Sequence, residues 1–198
     1  MSVVSALHAS AALLLVVAGA AKLIRPADGF SGLVGLRTRP AVVRLIGAVE
    51  AAAGTAALIA GGLAVWTVGL LYGAFALIVL RAVLAGADSC GCFGRLDAPP
   101  SLIHVAGNLT LSAMSFIAAG SASPPVPALV QAAGESPATG VALAVVIVLL
   151  AGLVLVSFTA LPEALAARSS GPGAGGLFRS LPPPTTVGAA SHNGSGRP

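Results

Sequence analysis

Long apolar runs, broken by short stretches rich in glycine, proline and charge, make up most of this chain. A helix rises 1.5 Å per residue, so crossing the roughly 30 Å hydrocarbon layer of a bilayer takes about 20 residues. Five runs approach that length: residues 3–24, 41–60, 64–85, 101–119 and 140–161. Gly61-Gly62 is the only break between the second and third, which predicts a tight helical hairpin. The first run ends at the basic edge from Lys22 to Arg25, followed by Pro26. No Lys or Arg precedes it, so it reads as a retained span and not as a cleaved leader. Residues 121–139 are rich in Pro, Ser and Ala and predict an irregular connection. Residues 168–198, with Pro182-Pro183-Pro184, carry too few large apolar side chains to offset the entropy of ordering and predict a disordered tail. The expected fold class is all-α, a polytopic transmembrane helical bundle.

Composition agrees. The 198 residues are 57% hydrophobic and 8% charged, with a mean hydropathy of +0.99, whereas a soluble domain is about a quarter charged. The net charge of +4 does not signal nucleic acid, because no basic face interleaved with aromatics exists. The basic residues sort by connection instead. Lys22, Arg25, Arg37, Arg39 and Arg44 flank the first, Arg81 and Arg95 the third, and Arg168, Arg179 and Arg197 lie in the tail. Lys and Arg favour the cytoplasmic side of short loops, so the amino terminus is expected outside and the carboxyl terminus in the cytoplasm. Trp66, near the start of the third run, reads as an interfacial anchor.

Three features carry candidate chemistry. The only two cysteines, Cys90 and Cys92, are separated by Gly91 in a turn-rich loop. A disulfide across one intervening residue is strained, and strain makes it labile and more oxidising than a structural bridge. A dithiol/disulfide switch is therefore the leading expectation, against two inert thiols or a soft metal ion. Cys90, Cys92 and His104 would give only three of the four ligands a closed zinc site needs, so no metal is assigned. Glu50 lies mid-span, where ionising a carboxylate costs several kcal/mol, so it must be buried, paired or neutral; it is a candidate proton relay. The small residues around it, Gly47, Ala51 and Gly54, predict a close helix contact. His104, Asn108, Ser112 and Ser115 recur at helical spacing in the fourth run and predict an interior polar stripe. His104 and Asn108 are the candidate lining of a small pocket, with a quinone as the cofactor class. The bland alternative for the stripe is a hydrogen-bonded packing seam. No phosphate-binding loop, nucleophile elbow or paired catalytic carboxylates occur.

Ala18-Gly19-Ala20-Ala21-Lys22-Leu23 closes the first span, Arg44-x-x-Gly47-x-x-Glu50-x-x-x-Gly54 lies in the second, and Cys90-Gly91-Cys92-Phe93-Gly94 follows the third. Together these resemble the MauE, methylamine utilisation, branch of the DoxX-like integral membrane proteins, over about residues 5–120. The resemblance implies a four-helix core over residues 1–120, to which the fifth span is an addition, in the inner membrane of a bacterial cell. It implies a thiol-redox role in the maturation of a partner, in the family the disulfide-rich small subunit of methylamine dehydrogenase. Cys90 and Cys92 then become the redox pair and Glu50 the family's buried acid. A thioredoxin-like or exported disulfide-containing protein is the implied partner class. The competing expectation is a non-enzymatic membrane scaffold or accessory subunit in which the cysteines are incidental.

Overall fold

The computed structural model describes residues 2–26, 39–86, 100–120 and 123–169. Six helices and no strands occur among them: α1 (Val3–Ile24), α2 (Pro40–Ile59), α3 (Leu63–Ala85), α4 (Leu102–Ala118), α5 (Pro125–Glu135) and α6 (Pro137–Ser169). Their boundaries follow from local chemistry. Ser2 caps α1 by accepting from the Ser5 amide at 3.2 Å. Pro40 stands in the first turn of α2, where its missing N–H is no loss. Gly61 and Gly62 turn the chain from α2 into α3 with φ of +66° and +58°, and Gly86 closes α3 at +63°, values that favour glycine.

The all-helical membrane fold expected from the sequence is present, with one change in the spans. Val3–Ile24, Pro40–Ile59, Leu63–Ala85 and Pro137–Leu161 are each long and apolar enough to cross a bilayer. The run expected at 101–119 is the 17-residue α4, which at 1.5 Å per residue reaches about 26 Å. Pro100 limits it on one side and the Ala119-Gly120 turn on the other. A second difference lies in residues 121–139, where α5 occupies 125–135 in place of an irregular connection. Only the first two residues of the expected tail are described, as the end of α6; the rest of the tail and Cys90 and Cys92 lie outside the described residues.

The bundle is built with small residues inside and large ones outside, as expected where lipid replaces water. On α3, Leu63, Leu70, Leu77 and Leu84, seven apart, face outward at 65–85% exposed, whereas Val68, Ala76, Val79 and Ala82 are buried. Lipid contact accounts for the outward leucines. The central core joins Ala11, Ala12, Leu14 and Leu15 of α1 to Ala57, Val68, Leu111 and Phe158. Gly19, Gly47 and Gly54 bring α1 and α2 into backbone contact. A Cβ on Gly47 would lie 2.7 Å from the Gly19 carbonyl oxygen, and one on Gly54 2.5 Å from that of Ala12. The small-residue face read from Gly47, Ala51 and Gly54 is thus the face that meets α1.

Tyr72 is buried in the centre of this core, and its hydroxyl donates to the Ala11 carbonyl at 2.8 Å. Tyr72→Phe is expected to destabilise the protein by about 0.5–1.5 kcal/mol, the net value of one such bond. Thermal unfolding of the two proteins in the same detergent measures it.

Candidate functional site

The close approach at Gly19 and Gly47 has an electrostatic consequence. Gly19 and Lys22, and likewise Gly47 and Glu50, are three residues apart and share a helix face. Packing the two glycine faces together therefore brings an ammonium and a carboxylate to the same seam. Lys22 Nζ donates to both carboxylate oxygens of Glu50, at 2.9 and 2.7 Å. Their side chains are 3% and 1% exposed. Lysines near a span end usually extend outward to the interface. Lys22 turns inward instead, because Glu50 sits between the two glycine contacts, deeper in the bundle than the Lys22 backbone. Assigning Lys22 to the membrane edge from its neighbours Arg25 and Pro26 is therefore corrected: it is an interior residue. Arg25, Arg39, Arg44 and Arg81 are exposed at the same end of the bundle, as the sequence reading has them.

Lys22, but not Glu50, borders a cavity with room for a water-sized molecule. Lys22, Tyr72, Phe75, His104, Asn108 and Phe158 line it. The Lys22 ammonium lies 5.8 Å from the centre of the Phe75 ring, within the range of cation–π attraction. His104 Nδ1 is 2.8 Å from Ser101 Oγ, its ring lies against Phe158 with centroids 5.4 Å apart, and the Asn108 amide donates to the His104 carbonyl at 2.8 Å. All four residues of the α4 stripe are buried. Ser112 donates to the Gly69 carbonyl at 2.8 Å, and Ser115 meets His8, so the upper half of the stripe is also a packing seam.

Glu50 is therefore paired, and through Lys22 it joins His104 and Asn108 at one cavity. Sequence reasoning had these as two separate features and missed Lys22, Tyr72, Phe75 and Phe158. The legible signal was the repeat Gly-x-x-Lys and Gly-x-x-Glu, two small-residue faces each followed one turn later by opposite charge. Chemically, an ammonium and an imidazole on a water-sized space, with a carboxylate bonded behind the ammonium, can hold and pass protons. The site runs from the centre of the bundle, at Tyr72 and Glu50, toward the end where α3 finishes at Gly86 and α4 begins after Pro100. The segment between them carries Cys90 and Cys92.

The sequence profile of one protein family, described as methylamine utilisation protein MauE, matches residues 1–122, a stretch that contains α1 to α4 and leaves out α5 and α6. No curated protein and no solved structure matches.

Proposed function

This chain belongs to the methylamine utilisation protein MauE family, and from that premise we propose that Cys90 and Cys92 form a membrane-edge dithiol/disulfide pair serving a partner protein. The family and the four apolar helices make it a multi-pass membrane protein in contact with lipid, linked to methylamine utilisation. The observation that supports the thiol role is that the only cysteine pair lies in the sequence between α3 and α4, the two helices that contribute Tyr72, Phe75, His104 and Asn108 to the cavity at Lys22. Thiol chemistry moves protons with electrons, and this half of the bundle holds a buried lysine and a buried histidine, with a buried acid bonded to the lysine.

The exposed arginines at that end support a reading in which it faces the cytoplasm of a bacterial inner membrane and the amino terminus faces out. Cytosolic reductants keep the resting pair as the dithiol. A thiolate of the pair attacks a disulfide in a thioredoxin-like or disulfide-containing partner, forming a mixed disulfide that the second cysteine resolves. Cys90 and Cys92 end joined, the partner disulfide ends as two thiols, and two electrons and two protons have passed to it; because the strained Cys90–Cys92 bond is the more oxidising of the two, its re-reduction by cytosolic thiols is what draws the exchange forward. The Lys22–Glu50 pair and His104 serve that exchange as proton-holding groups.

Labelling purified protein with a thiol-reactive probe tests this. Mild oxidation is expected to shield both sulfurs and a dithiol reductant to restore them; equal labelling in the two states would remove the idea. Cys90→Ser with Cys92→Ser should then abolish support of the partner. Retained support in that variant would favour a scaffold whose cysteines are incidental.

A further inference from the structure

A second cavity lies at the opposite end of the bundle and takes no part in the thiol chemistry. Ser5 and His8 of α1, Gly61 and Gly62 of the α2–α3 turn, and Ser123 and Pro124 before α5 enclose it. His8 is 2% exposed, and its Nδ1 lies 3.1 Å from Ser115 Oγ of α4. Its Nε2 is buried without a hydrogen-bond partner, and no other buried side-chain nitrogen or oxygen among the described residues is left so. Such a group costs about 1–3 kcal/mol if it stays unsatisfied. An apolar side chain at this helix position would avoid that cost. The cavity supplies the remedy: it has room for a water-sized molecule, and serine hydroxyls and turn backbone to hold one.

We propose that His8 binds a water admitted through this mouth and, by way of it, takes up a proton from the amino-terminal side of the bundle. Ser115 suits both states of the ring, since a hydroxyl accepts from an imidazole N–H or donates to a bare nitrogen. The neighbours that face His8 are Ser5 on its own helix, Val65 on α3, Ser115 on α4, the Gly61-Gly62 turn and Pro125 on α5, none of them ionisable. The Lys22–Glu50 pair belongs to the other end. A proton on His8 therefore has no counter-charge among these neighbours, and water must solvate it. Protonation draws water in and loosens α1 from α4 at that mouth. This inference stands apart from the thiol role and does not depend on it.

The chain carries its own reporter. Its single tryptophan, Trp66, follows cavity-lining Val65 and packs 5.5 Å from the ring of Phe116, the residue after Ser115. In phosphatidylcholine vesicles, lowering the pH from about 8 to about 4, a span that covers the ordinary histidine range and extends below it, is expected to shift Trp66 emission reversibly to longer wavelength along a single sigmoid. His8→Gln keeps a bond to Ser115 and does not titrate, so its trace should be flat. A flat wild-type trace, or the same sigmoid in the variant, would overturn the proposal. Should the variant not fold, magnetic resonance of nitrogen-15-labelled histidine in the wild-type protein in nanodiscs decides. Exchange between the His8 ring and water supports the site, and a dry ring refutes it.

Discussion

Lys22→Met is expected to destabilise the protein by about 3–5 kcal/mol, because it leaves the Glu50 carboxylate buried without its cation. Glu50→Leu should cost a similar amount by stranding the ammonium. Combining the two should recover most of the loss, since removing both charges also removes the penalty for burying them. Unfolding in detergent, followed by the fraction that remains monodisperse on heating, reads all three variants. A double variant that loses the sum of the two single losses would show that the two charges are not coupled. Both are 3% exposed or less and bonded twice, which is why the expected effect exceeds that of a surface pair, about 0–1 kcal/mol.

The second large effect is expected at the crossing that creates this pair. Gly47→Ala puts a methyl group 2.7 Å from the Gly19 carbonyl oxygen and 2.8 Å from Lys22 Cβ, and Gly19→Ala points one at the backbone of Gly47 and Ala51. Backbone on the far side cannot rotate away, so α1 and α2 must part. The expected cost is about 1–3 kcal/mol for each variant and more for Gly47→Leu. Gly134→Ala and Gly152→Ala are the controls: nothing lies within 4 Å of either added Cβ, and alanine favours helix by up to about 1 kcal/mol. Parting the helices should also uncouple the ion pair. In a Gly47→Leu background, Lys22→Met is therefore expected to cost much less than in the wild type, a comparison that a double-mutant cycle makes directly.

Much of this fold was legible because lipid leaves few options: a long apolar run must be helical to satisfy its backbone, and a small-residue face must meet a neighbour. Gly47, Ala51 and Gly54 were read correctly on that basis. Proline misled at 121–139. Pro124 and Pro125 stand before and at the start of α5, where a missing amide is tolerated, and the residues that follow favour helix. At α4, length was overestimated because flanking Ser101 and Ala119 look as apolar or small as the helix itself. The site was legible only in parts. Glu50 announced itself by its cost in hydrocarbon, but its partner is 28 residues away on another helix, and sequence adjacency to Arg25 drew Lys22 to the wrong environment. Tyr72 carried no periodic signal, since a single phenol aimed at a backbone carbonyl depends on helix rotation that no pattern encodes.

Phe158 gives the chain an unusual division of labour. It comes from α6, beyond the stretch that the family profile covers, yet its ring fills the notch left by Gly107 and lies against His104. The part that the family profile covers thus supplies the charges, while a segment outside it furnishes one side of their enclosure. Changes confined to residues 137–161 could retune how easily that chamber wets, with every polar group in it left as it was.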